Sequence, residues 1–274
     1  MNSETVITAY VGAYPGGRPA PDLSQVPVST DDNFIFTFAL AFARDTNRDG
    51  VFEPVWDPAI TPDFIATLQQ ENPNRRFIAS LGGGDNFPWQ PPSDEAAWID
   101  NAVSSLFAMQ NTYHLEGFDI NYENNLDDSF VRVMTTFIRL MNDSPNWPPR
   151  FQTTFSVTPF AQTLSAYLQI YQTNHTWVHL FNYQAYADTP SVDGYLNTYA
   201  QLAQANLDQE FNGYAELGLG IASSTSAPRG LQPPDIFTVW DNLHSQGVSN
   251  AFIWCLEDSA ETNYSIESEL QRRS

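Results

Sequence analysis

Lysine is absent from all 274 residues, so eleven arginines carry the basic charge against 32 acidic side chains, and the chain has a net charge of −21 at pH 7. A field of that sign repels phosphate backbones and anionic headgroups, which argues against nucleic-acid and membrane partners. The single cysteine, Cys255, cannot close an internal bridge, which excludes a disulfide-scaffolded domain. It lies in the apolar run Ala251–Leu256 with no basic neighbour and reads as a small buried hydrophobe, not a thiolate nucleophile. The four histidines, at 114, 175, 179 and 244, include no pair with metal-ligand spacing on one element. No apolar run reaches the roughly 18 residues of a bilayer span; even Phe34–Ala43 stops at Arg44 and Asp45. The opening MNSETVITAY has neither a basic leader nor an apolar signal core, so the chain is expected to be non-secreted or in mature form, and its compartment stays open.

What is abundant is core material. Hydrophobic residues make up 42% and aromatics 14% of the chain, enough to fold without crosslinks or metals. The length exceeds the usual domain of roughly 100–200 residues but suits one closed α/β barrel of roughly 250. Without a linker or repeat, residues 1–274 read as one domain, expected to be monomeric and to need no cofactor.

Eight runs rich in Val, Ile, Phe and Tyr read as strands: Val6–Ala13, Phe34–Ala43, Phe77–Leu81, Leu115–Glu123, Phe151–Thr158, Trp177–Tyr186, Leu217–Ala222 and Ala251–Leu256. Helical spacing fills most of the intervals, at Pro62–Gln70, Asp94–Tyr113, Asp128–Asn142, Phe160–Asn174, Ser191–Leu207 and Pro234–Ser245, with a tail at Ile266–Arg273. Only Tyr14–Asn33 looks irregular. Strands alternating with helices predict an α/β parallel sheet, and eight of them a closed (β/α)₈ barrel with an irregular first crossover. An open doubly wound sheet is disfavoured because Ala13–Gly17 lacks a phosphate-binding glycine pattern.

Barrel chemistry belongs at the carboxyl ends of strands. In the fourth run, Gly117, Asp119, Asn121 and Glu123 alternate with Phe118, Ile120 and Tyr122. A barrel strand has no solvated face, so the polar set points into or above the barrel interior. Glu123 would crown the strand, with Asn121 one layer below and Asp119 deeper. A partly desolvated rim carboxyl near another carboxylate is suited to protonating a leaving oxygen, which makes Glu123 the candidate acid.

These residues resemble the fourth-strand signature of glycoside hydrolase family 18, Asp-Gly-x-Asp-x-Asp-x-Glu, with Glu116 in place of the first Asp and Asn121 in place of the third. Ser80-Leu81-Gly82-Gly83 resembles the family's Ser-x-Gly-Gly, and Phe181-Asn182-Tyr183-Gln184 its Met-x-Tyr-Asp; Trp254 stands where a tryptophan floors the sugar subsite. The missing disulfides and Tyr183-Gln184 are closest to the narbonin-like and bulb-chitinase branch. The resemblance implies binding of β-1,4-linked N-acetylglucosamine oligomers, as in chitin. It also implies a retaining reaction in which the substrate's acetamido oxygen attacks the anomeric carbon and Glu123 serves as acid, then base. Catalytic candidates are Glu123, Asn121, Asp119 and Tyr183, the last donating its hydroxyl to the acetamido carbonyl. Substrate contacts fall to Tyr10, Ser80, Gly82, Gly83, Gln184 and Trp254.

Asn121 keeps the shape of the aspartate it replaces but has no charge to give. Weak hydrolysis with a lower pH optimum is therefore expected. The rival expectation is a silent storage or chitin-binding protein, and a third is an inhibitor of glycosidases. Outside the motifs, Asp45, Asn47 and Asp49 occupy the first, third and fifth places of a calcium-loop pattern with Gly50 at the sixth, but Trp56 stands where the bidentate Glu is needed. Calcium or an ordinary polar turn both fit that segment.

Overall fold

Each of the eight runs forms a parallel strand. In the computed structural model, which describes residues 4–84, 87–143, 147–148, 151–187, 191–204, 216–224 and 230–274, these are β1 (Thr5–Val11), β2 (Phe34–Arg44), β3 (Arg75–Gly82), β4 (Gly117–Asn121), β5 (Gln152–Val157), β6 (Val178–Tyr183), β7 (Leu217–Ala222) and β8 (Asn250–Trp254). Neighbours in sequence are neighbours in the sheet, and β1 pairs with both β2 and β8, which closes the barrel. Thr8, for example, faces Thr37 on one side and Phe252 on the other. A two-residue antiparallel strip, Glu53–Pro54, is added at the end of β2.

The covering helices are α1 (Pro62–Glu71), α2 (Glu95–Tyr113), α3 (Asp128–Asp143), α4 (Ala161–Asn174), α5 (Val192–Gln204), α6 (Asp235–Ser245), the short α7 (Leu256–Ser259) and α8 (Ser265–Arg273). The sequence expects the fifth helix to reach Leu207, but residues 205–207 lie outside the described ones. Between β1 and β2 the chain makes only single 3₁₀ turns, at Pro15–Gly17 and Leu23–Gln25, as its Pro and Gly content suggests. Helix starts are set by side-chain oxygens on otherwise free N–H groups. Thr61 accepts from Phe64 N at 3.3 Å, Asp94 from Ala97 N at 3.0 Å, and Asp127 from Ser129 N and Phe130 N at 3.0 and 3.1 Å. Among the described residues no helix is long and apolar enough to cross a membrane.

Outward strand positions such as Phe36, Phe38, Phe77, Phe118, Phe155 and Phe181 are fully buried against the helices. Each such side chain contributes about 1.5–3 kcal/mol on burial. The inward face differs: Thr8, Thr37, Asp119, Thr154, Ser156 and Asn182 are buried polar groups. A side chain at Gly218 would put its Cβ 2.1 Å from Asn182 Oδ1, so this inward position must be glycine. A polar interior is costly unless its groups pair, and the strongest pairing lies directly below the carboxyl-end mouth.

Candidate functional site

The pairing centres on Asp119. Its Oδ2 accepts from Tyr10 Oη at 2.8 Å and Ser80 Oγ at 2.7 Å, and its Oδ1 from Thr154 Oγ1 and Ser156 Oγ, both at 2.9 Å. Four hydroxyls from β1, β3 and β5 thus converge on one carboxyl of β4. Burial holds the Asp119 carboxyl above its ordinary value, an effect the four hydrogen bonds offset only in part. With its acceptor positions occupied, Asp119 ties three strands to the one that carries the site.

Above it, β4 stops at Asn121, and the chain end is held from α4. Tyr167 Oη accepts from Tyr122 N at 2.9 Å and donates to Ile120 O at 3.1 Å, while Thr163 Oγ1 donates to Glu123 O at 2.9 Å. The alternation read from the sequence is kept: Phe118, Ile120 and Tyr122 are buried in the outer core, while Asp119 and Asn121 project inward. The Asn121 amide orientation that satisfies its surroundings places Nδ2 3.2 Å from Glu123 Oε1 and 3.2 Å from Ser156 O. In the opposite orientation its Oδ1 accepts from Gln184 Nε2 at 3.3 Å; Gln184 Nε2 also stands 3.4 Å from Glu123 Oε1. Glu123 Oε1 therefore faces amide donors, not a second carboxylate.

These three side chains open into a cleft of about 360 Å³. Trp254 lines it, with its ring 5.6 Å from Tyr10 and stacked at 6.1 Å on Phe42. Tyr10 is almost wholly buried, its hydroxyl committed to Asp119, so it supports the floor more than it faces the space. Ser80 lies beneath as an Asp119 donor. Gly82 and Gly83 have φ of +92° and +99°, and a Cβ on Gly83 would be 2.9 Å from the Phe42 ring. These two glycines turn the chain past an aromatic side chain; neither lines the cleft. Gly84 does, with its Cβ position 3.6 Å from Glu123 Oε2.

Tyr183 is not brought to this cleft. It is buried in the outer core, 6.2 Å ring to ring from Tyr199 of α5. The physical reason is strand parity: adjacent residues face opposite sides, so Tyr183 and Gln184 cannot both point inward. The tyrosine that lines the cleft is Tyr186, on the 3₁₀ turn Ala185–Ala187 that ends the strand expected to run to residue 186. Burial, and then the Glu123 charge, push its hydroxyl well above the usual tyrosine value, so it stands there as a donor. The motif match hid Tyr186, but the period of two puts 182, 184 and 186 on one face and signals it. Phe42 and Arg44, also missed, end the long second run.

In the loop after β2, where the sequence allows calcium or an ordinary polar turn, Asp45 serves as a hydrogen-bond acceptor. Its carboxylate accepts from Asp49 N at 3.0 Å, Gly50 N at 3.1 Å and Trp98 Nε1 at 2.7 Å, and Asp49 Oδ1 accepts from Val51 N at 3.0 Å. These oxygens serve as acceptors for backbone and indole donors, as in a polar turn. No group of three or more metal-holding side chains occurs among the described residues.

No protein-family model matches the chain. It is 28% identical over 293 aligned positions to Chitinase 1 of Tulipa saxatilis subsp. bakeri, covering 100% of this chain and 88% of that protein. Over 111 aligned positions, covering 37% of this chain and 39% of the other, it is 32% identical to the RuBisCO-associated protein of Glycine max. Among solved structures, the family 18 chitinase from Crocus vernus superposes with a TM-score of 0.83 at 26% identity, covering 98% of both chains. The catalytic domain of a fern GH18 chitinase, from Peteris ryukyuensis, shares the fold with a TM-score of 0.84 at 24% identity and the same coverage. Along its full length the chain is a homologue of Chitinase 1, and its structural neighbours are family 18 chitinases.

Proposed function

We propose that the cleft binds β-1,4-linked N-acetylglucosamine oligomers and hydrolyses them slowly, with Glu123 as acid and then base. The observation that carries this reading is the convergence of Glu123, Asn121, Gln184 and Tyr186 over a Trp254 floor at the carboxyl end of the barrel. A carboxyl beside an open apolar floor can reach a glycosidic oxygen held against the indole. Tyr186 and Asn121 are then the donors that hold the substrate's acetamido group against the anomeric carbon, so that no protein nucleophile is required. Glu123 protonates the leaving oxygen and, once ionised, takes a proton from the water that opens the cyclic intermediate. Asp119 is a positioning residue: its hydroxyl partners fix β4 beneath the site.

The amide at 121 supplies no negative charge to the positive charge that develops on the acetamido group. Loss of one preorganised electrostatic contact of this kind lowers rates by about 10²–10³-fold. It also removes a like charge that would hold a proton on Glu123, so the rate falls off at lower pH than with aspartate there. The same amide favours a second reading, a silent chitin-binding protein. Incubation with a chitin hexamer over days at pH 4–7 separates the two. Shorter oligomers, lost in a Glu123→Gln variant, are expected; binding without product in every condition supports the silent protein, and neither binding nor product removes both.

A further inference from the structure

One charged group in the cleft has no part in the reaction described above. Arg44 ends β2 and lines the same space as Glu123. Its guanidinium lies over the rings of Phe42 and Phe87, 5.4 and 5.2 Å from their centroids, and its Nε donates to Gly82 O at 3.2 Å. The ring contacts and this hydrogen bond hold the group in place, and its two Nη groups donate to no other side chain or carbonyl among the described residues.

Six of the nine described arginines meet carboxylates, and Arg48 and Arg139, which do not, are exposed. Arg18 meets Asp258 and Glu261, Arg75 meets Glu71, Arg132 meets Glu95, and Arg273 meets Glu269 and Asp241. Arg44 is half-buried and has no ion pair among the described residues, and burial pushes its guanidinium below the usual value. A partly desolvated cation is unfavourable until an anion pairs with it. Neutral sugar hydroxyls do not supply that charge.

We infer that Arg44 forms a subsite for an anionic substituent, a carboxylate or a sulfate ester, on an N-acetylhexosamine oligosaccharide bound in the cleft. The Nη edge of a guanidinium matches two oxygens of such a group. Gly82, which holds Arg44, and Gly84, beside Glu123, are at most about 7 Å apart along the chain, so the anion is placed near the bond to be cleaved. The net charge of −21 opposes approach of an anion, but salt at 0.1 M screens it beyond about 10 Å, and the contact itself is local.

This inference rests on the proposed oligosaccharide reading, and the test keeps the two apart. Trp254 fluorescence is titrated with a neutral chitin tetramer, a tetramer of alternating N-acetylglucosamine and its 3-O-lactyl carboxylate derivative, and a 6-O-sulfated chitin tetramer. The intact protein and its Arg44→Gln and Arg44→Lys variants are compared at about 0.1 M salt. Expected is about tenfold tighter binding of at least one anionic tetramer than of the neutral one, a ratio that falls with added salt, drops to about one in Arg44→Gln and is partly kept in Arg44→Lys. Preference for the carboxylate or for the sulfate identifies the source of the anion, and either supports the subsite. Equal binding of all three tetramers by the unaltered protein overturns the subsite and leaves the oligosaccharide reading standing. Equal weakening of neutral and anionic tetramers in Arg44→Gln also overturns it, since Arg44 would then be a general wall of the cleft. No binding of any tetramer overturns both proposals.

Discussion

Two acidic side chains stand just beyond the carboxyl ends of barrel strands, Asp45 after β2 and Glu123 after β4, and they meet opposite environments. Asp45 is buried, and its oxygens receive two backbone N–H groups and the Trp98 indole. Glu123 keeps an oxygen towards an open cleft and meets amides from Asn121 and Gln184 on the other. The end of a strand is therefore not sufficient for chemistry. A carboxylate turned onto its own loop and a buried indole acts structurally, and one that lines a cleft beside an apolar floor is within reach of a substrate.

Changes on the two sides should separate activity from stability. Asn121→Asp should raise the rate of hexamer cleavage by about 10²–10³-fold and move the upper limb of the pH profile to higher pH, because the new carboxylate favours the protonated form of Glu123; initial rates from pH 4 to 8 would read both. Asp45→Ala should leave that rate nearly unchanged but lower unfolding stability by about 2–3 kcal/mol, since the Trp98 indole and two N–H groups lose their acceptor. If calcium raises the melting temperature of the unaltered protein and this gain vanishes in Asp45→Ala, the contrast collapses.

A smaller effect distinguishes the two tyrosines. Tyr186→Phe should lower the rate about tenfold, whereas Tyr183→Phe, on the outer side of β6, should change it less than twofold; the reverse ranking would put the wrong residue in the cleft. The smallest effect concerns a buried carboxyl remote from the cleft, Glu267, whose Oε2 accepts from Ser259 Oγ at 2.5 Å while Oε1 has no partner among the described residues. Burial raises its folded value above the unfolded one. Its contribution to stability is therefore full below the unfolded glutamate value of about 4.3 and is lost as pH rises through the folded value. Glu267→Gln should stabilise the protein at neutral pH by up to about 1 kcal/mol, with the gain fading on acidification, as followed by urea unfolding at pH 4 and 7.

The barrel was legible in the sequence because both faces of its strands are buried and each run is bounded by Pro, Gly or a helix cap. Residue alternation likewise places Asp119 and Asn121 inward from sequence alone. The details that were not legible depend on chain ends and on partners distant in sequence. Tyr183 stands where the motif wants a tyrosine, yet parity turns it outward and the 3₁₀ turn after β6 presents Tyr186 instead. The spacing of oxygens in Asp45–Gly50 fits a cation loop and a polar turn alike because an N–H group and a metal ion ask for the same acceptors; that Trp98, 53 residues away, donates to Asp45 could not be read from that spacing. Arg44 gave no signal beyond ending an apolar run, since its significance lies in being half-buried without an ion pair among the described residues, whereas the other unpaired arginines, Arg48 and Arg139, are exposed.

The most direct test of the account is Glu123→Gln, which keeps the shape of the side chain and removes its exchangeable proton. The account predicts that the variant binds a chitin hexamer with the affinity of the unaltered protein, by tryptophan fluorescence, while cleavage falls by about 10²–10⁴-fold. Cleavage that persists at the original rate would contradict it.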